Sequence, residues 1–157
     1  MIQRSVTHAT FCIERRFDAS PSRVFKAFSE LNAKQQWFSG PPGWVRNRHE
    51  LDFRVGGREI SDVGPPGGAA HIFDARYWDI VPNERIVFSY DMHIGDTRIS
   101  VSLTTVELKA DGAGTHLSFT EQGAFLDGFD NPKQREEGTG FLMDALEASL
   151  KHASTEA

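Results

Sequence analysis

The chain has 157 residues, 39% of them hydrophobic and 25% charged, with a formal net charge of −5. A chain of this length buries roughly 70% of its unfolded surface, and this balance excludes a disordered tail or a membrane-embedded protein. The 17 Lys and Arg stand against 22 Asp and Glu, and the densest basic stretch is only Arg46-Asn47-Arg48-His49, which disfavours sequence-independent nucleic-acid binding. No window approaches the ~18 uninterrupted apolar residues of a membrane span. Met1 to Thr10 lacks the apolar core of a secretory signal. Cys12 is the single cysteine, so neither an internal disulfide nor a multi-cysteine metal site is available. The expectation is one cytoplasmic domain over 1–157, with no membrane or nucleic-acid partner.

In chain order, residues 8–17 alternate Phe11, Ile13 and Phe17 with polar residues, the pattern of a strand. Ser20-Pro21 starts a helix, because Ser accepts from orphan amides and Pro tolerates the first helical position. Val24, Phe25, Ala27, Phe28 and Leu31 share one face of it. A second short helix is predicted over 33–38, ended by Ser39-Gly40-Pro41-Pro42-Gly43. Strands follow at 45–55, 58–63, 71–81, 85–92, 98–109 and 115–122. Between them lie Gly56-Gly57, Gly64-Pro65-Pro66-Gly67-Gly68, Pro82-Asn83-Glu84, Gly95-Asp96 and Asp111-Gly112-Ala113-Gly114, all turn chemistry. In 71–81, Phe73, Tyr77 and Asp79 share one parity and Trp78 and Ile80 the other, so either face can point inward.

Asn131-Pro132 opens a last helix reaching to about residue 153, roughly 33 Å long. Its apolar stripe is Phe141, Leu142, Ala145, Leu146, Ser149 and Leu150. Gly138 and Gly140 within it each cost up to about 1 kcal/mol relative to Ala, which suggests close backbone approach or room kept for something else. Strand, short helices, six strands and a long helix define an α+β fold, a curved antiparallel sheet of six to seven strands wrapped around its C-terminal helix.

This layout resembles the helix-grip superfamily of START, polyketide-cyclase and birch-allergen-like proteins (SRPBCC). Within it the chain is most similar to the single-domain bacterial branch of the heat-shock-protein-90 ATPase activators. The likeness is carried by the run from Phe17 through Ser20-Pro21 to Phe28, by Gln36-Trp37-Phe38-Ser39-Gly40-Pro41, and by Phe53-Arg54-Val55-Gly56-Gly57-Arg58. Arg135-Glu136-Glu137-Gly138, followed by Phe141-Leu142 and Leu146, completes it. It covers about residues 10–152. The family commonly has Trp after the helix Gly; here that position is Thr139, which implies a roomier or differently lined cavity.

Candidate chemistry is sparse. None of the 6 histidines pairs at i, i+4 on a predicted helix or stands at ligand spacing from Cys12, so neither a metal nor a cofactor is expected. Adjacent Glu136 and Glu137 point about 100° apart on a helix and fit the dipole of its first turns better than acid–base catalysis. Cys12, flanked by Phe11 and Ile13, reads as packing. What remains is apolar. Ile86, Phe88, Tyr90 and Met92 alternate on one strand face, Leu117 and Phe119 on another, and Trp37, Phe38 and Trp44 flank the first Gly-Pro loop. The resemblance implies a pocket between the sheet and the last helix, and such pockets are mostly apolar. Its expected lining is Trp37, Phe38, Trp44, Phe88, Tyr90, Met92 and Phe119, closed from the helix by Phe141 and Leu142.

The leading expectation is therefore a binding protein for a small hydrophobic molecule. The branch resemblance implies an alternative, stimulation of a chaperone ATPase. The superfamily implies another, a cyclase- or hydrolase-type enzyme, which requires a buried His, Asp or Glu facing the pocket. Either a monomer or a homodimer is open, the latter through exposed aromatics such as Tyr77 or Trp78.

Overall fold

A computed structural model describes residues 3–155. The elements are β1 (Val6–Phe17), α1 (Pro21–Ser29), α2 (Leu31–Lys34), β2 (Val45–Leu51), β3 (Arg58–Gly64), β4 (His71–Val81), β5 (Arg85–Ile94), β6 (Thr97–Asp111), β7 (Gly114–Leu126) and α3 (Pro132–Thr155). One antiparallel sheet runs β1-β7-β6-β5-β4-β3-β2. The short turns of the sequence make β2 to β7 a meander, and β1 closes back onto β7. The sheet curves around α3, whose Met143, Leu146 and Leu150 join Phe17, Val24, Tyr77, Phe88 and Leu117 in one core. This is the predicted α+β helix-grip architecture.

The helices start where their caps dictate. The Ser20 side chain accepts from the Arg23 amide, and Pro21 takes the first position of α1. Val24, Ala27 and Phe28 are its buried face. α2 is shorter and earlier than expected, and the chain continues through turns to Phe38. Trp37 is held there by packing rather than by helix: its indole N–H donates to the Ala27 carbonyl at 2.9 Å, and its ring meets Phe28 edge-on at 4.9 Å. At the other end, the Asn131 side chain accepts from the Lys133 amide at 2.8 Å and caps α3.

Further expectations are corrected in turn. The strand predicted over 45–55 stops at Leu51, and residues 52–57 fold into a loop that takes its place beside β4. The Gly56 amide donates to the Tyr77 carbonyl at 2.8 Å, and the Tyr77 amide donates to the Gly57 carbonyl at 3.0 Å. A Cβ on Gly57 would lie 2.0 Å from the Asp52 carbonyl oxygen, so the loop closes only over glycine. Second, Cys12 is exposed rather than packed, because it alternates with buried Phe11 and falls on the outer face of β1. Third, Phe141 does not share the buried stripe of α3. It is 72% exposed, while fully buried Met143 takes the inward position.

The parity of β4 is settled by a bulge. Register shifts between Tyr77 and Asp79, so Trp78 opposes nothing and is extruded, 55% exposed. Phe73, Ala75 and Tyr77 point inward before the bulge, and Ile80 packs against the core after it. Of this pair, Tyr77 is thus a core residue and Trp78 a surface aromatic. Among the described residues, no helix is long and apolar enough to cross a membrane.

Candidate functional site

Between the sheet and α3 lies a hollow of about 790 Å³. On α3 the small Gly138, Thr139 and Ala145 leave room beside Arg135, Leu142 and Met143. Phe73, Phe88, Tyr90, Met92 and Phe119 line it from β4, β5 and β7. Phe28, Lys34, Trp37, Phe38 and Trp44 line it from α1, α2 and the loop after them. Every residue predicted as lining borders this hollow, with Phe141 at its rim rather than over it. The rings brace each other: Phe38 meets Phe73 edge-on at 4.9 Å, and Phe73 lies 4.6 Å from Tyr90.

Two buried polar clusters interrupt this apolar wall. In the first, Lys34 Nζ stands 2.6 Å from Glu59 Oε1. The Tyr77 hydroxyl donates to the same oxygen at 2.6 Å, and His49 Nε2 lies 2.7 Å from Glu59 Oε2. Burial alone would raise the Glu59 carboxyl, but the Lys34 charge and the hydrogen bonds from His49, Lys34 and Tyr77 outweigh it and hold it at about 2. Burial, then the Glu59 charge, pushes the Tyr77 phenol well up. Lys34 also sits 4.7 Å from the Phe38 ring centre, a cation–π contact.

The second cluster centres on Glu121, 2% exposed, which accepts from the Tyr90 hydroxyl at 2.9 Å and the Thr104 hydroxyl at 3.2 Å. Burial raises its carboxyl; the Arg135 charge, 3.6 Å away, and these hydrogen bonds oppose the rise without cancelling it. Arg135 comes from the second turn of α3 and donates to Tyr90, Ser100 and Asp130 at 2.9, 2.8 and 2.7 Å. Glu121 was open to discovery in the sequence, since it shares the inward parity of Leu117 and Phe119. Lys34 was not, because its partner is 25 residues away and only the folded sheet brings them together. Glu136 and Glu137 are exposed and take no part. His71, whose pKa burial lowers, packs against Trp44 at 4.6 Å at the edge of the hollow. Among the described residues no group of three His, Cys, Asp or Glu gathers to hold a metal ion.

An open sheet curved around its last helix, with a hollow between them, defines a protein of the helix-grip class. The chain belongs to the family described as activator of Hsp90 ATPase homolog 1-like protein, whose model matches residues 18–152. It is similar to an uncharacterised protein from Rhizobium leguminosarum, with 47% identity and a TM-score of 0.91 over 96% of this chain and 99% of that one. It is also similar to a protein from Rhizobium loti, with 50% identity and a TM-score of 0.86 over 92% and 99%. An AHSA1-like protein from Aeromonas hydrophila shares the fold at 18% identity, with a TM-score of 0.72 over 93% and 94%. None of the curated proteins matches this chain.

Proposed function

We propose that this protein binds a small, largely apolar molecule between its sheet and α3. The observation that carries the reading is the hollow itself, about 790 Å³ and walled mainly by aromatic and aliphatic side chains. That volume suits a molecule of drug or metabolite size. Apolar walls in contact with an apolar ligand gain dispersion contacts that water does not supply as well. Native mass spectrometry of the protein as purified, compared with its denatured mass, tests this directly. An additional mass lost on denaturation is expected. A neutral fluorescent probe, N-phenyl-1-naphthylamine, gives the second measurement: saturation at 100 times its dissociation constant raises stability by about 2.7 kcal/mol. A clean mass together with no probe binding and no thermal shift across a hydrophobic library would remove the reading.

A second reading, catalysis in the same hollow, draws on Glu121. A buried carboxyl with a raised pKa beside a tyrosine and an arginine is a pattern of acid–base sites. Once a ligand is known, its chemical change by wild type but not by Glu121→Gln tests this. Stimulation of a chaperone ATPase draws only on the family description, and an ATPase assay with the matching chaperone decides it.

A further inference from the structure

The polar groups around the hollow differ in how far their hydrogen bonds are already made. Glu59 accepts from Lys34, Tyr77 and His49, and Arg135 is engaged by Tyr90, Ser100 and Asp130. Two donors on the β3 side border the hollow. An ammonium has three N–H groups. Those of Lys34 meet Glu59 at 2.6 Å and the Tyr77 oxygen at 3.4 Å, and the nitrogen also lies 4.7, 5.8 and 5.9 Å from the Phe38, Phe73 and Phe88 ring centres. Ser61 lies two residues beyond Glu59 on the same side of β3, opposite Phe73. It is 4% exposed and borders the hollow, where its hydroxyl is open to a ligand. A hydroxyl at the wall of the hollow can donate to a ligand oxygen.

We infer that the bound molecule is uncharged and apolar apart from one acceptor oxygen, a carbonyl, which sits against Lys34 Nζ and Ser61 Oγ. The inference rests on the binding reading above. Charge decides between a carbonyl and a carboxylate. The Lys34 charge is already neutralised by Glu59 at 2.6 Å, and the Arg135 charge by Asp130 at 2.7 Å. A ligand carboxylate would be a further buried anion with no counterion, which burial penalises heavily. A carbonyl carries no such penalty and regains its lost hydration in two hydrogen bonds.

Three probes of one shape separate the possibilities at neutral pH: 2-acetylnaphthalene, 2-ethylnaphthalene and 2-naphthoic acid, titrated calorimetrically. The ketone should bind about tenfold tighter than the hydrocarbon, and the acid weakest. In Ser61→Ala the ketone should lose about threefold to tenfold while the hydrocarbon is unchanged, the size of one hydrogen bond. Lys34→Met should do the same, and if it fails to fold with Glu59 stranded, Ser61→Ala carries the comparison. The ketone's carbonyl stretch should fall in frequency on binding to wild type, and by less in Ser61→Ala. Equal affinity of ketone and hydrocarbon, or tightest binding by the acid, would overturn the inference and leave the binding reading standing. Failure of all three to bind would sink both.

Discussion

At the scale of single residues, the costliest arrangement is the ion pair of Lys34 and Glu59, whose side chains are 3% and 0% exposed. Such a pair adds little net stability over a well-packed apolar substitute, but removing one partner strands the other and is expensive. Its pH dependence is definite. In the unfolded chain Glu59 titrates near 4.5, in the folded one near 2. Between these values the unfolded state binds more protons, so stability is present above pH 4.5 and is lost as pH falls toward 2. The difference amounts to about 3 kcal/mol. Glu59→Gln should be less stable than wild type at pH 7 and should show a shallower acid slope, read from melting temperatures between pH 3 and 6. A slope equal to that of wild type would mean other carboxyls govern acid unfolding. Gly57→Ala belongs to the same scale. With its new Cβ 2.0 Å from the Asp52 oxygen, backbone must move, and a loss of at least ~2 kcal/mol in denaturant titration is expected.

At the scale of elements, two helix glycines had suggested close packing, and the structure separates that from the alternative. A Cβ on Gly138 would meet nothing within 4 Å, and one on Gly140 would meet only an Arg15 nitrogen at 3.7 Å. Neither is demanded by a close neighbour, and Gly138 borders the hollow. Gly138→Ala should therefore stabilise the protein by up to about 1 kcal/mol, the ordinary helix preference, as measured by urea unfolding. The elements were legible because their punctuation is chemical: Ser20-Pro21, Asn131-Pro132 and the Gly- and Asn-containing turns each have a local reason to stop or start the chain. The bulge at Trp78 was not legible, since inserting one residue costs only a ladder bond and leaves the alternation of 71–81 readable both ways. For the same reason the exposed position of Phe141 escaped a pattern in which Leu142 and Met143 compete for the inward face.

At the scale of the molecule, the apolar walls of the candidate site could be read from alternation in β5 and β7, whereas the polar group on α2 could not. Lys34 reads as an ordinary surface cation in a short helix until β3 delivers Glu59 beneath it. The volume between the layers is likewise a property of the assembly, and Thr139 is one of the small residues that border it from α3. Thr139 is buried against the hollow, and its hydroxyl donates only to the Arg135 carbonyl of its own helix. Thr139→Trp should occupy part of the hollow, leave stability within about 1 kcal/mol of wild type, and weaken N-phenyl-1-naphthylamine binding at least tenfold. Unaltered probe affinity would place the probe elsewhere.

The order of the strands also governs how the chain must be made. Among the described residues β1 precedes every other strand, yet Val6 pairs with Leu126, and β7 is the only strand beside it. While the ribosome is still producing β2 to β6, the first strand waits with its backbone donors and acceptors open, including the alternating Phe11, Ile13 and Phe17. Unpaired strands of this kind recruit one another between nascent chains. Pairing of the first strand is therefore a late, long-range event that synthesis postpones.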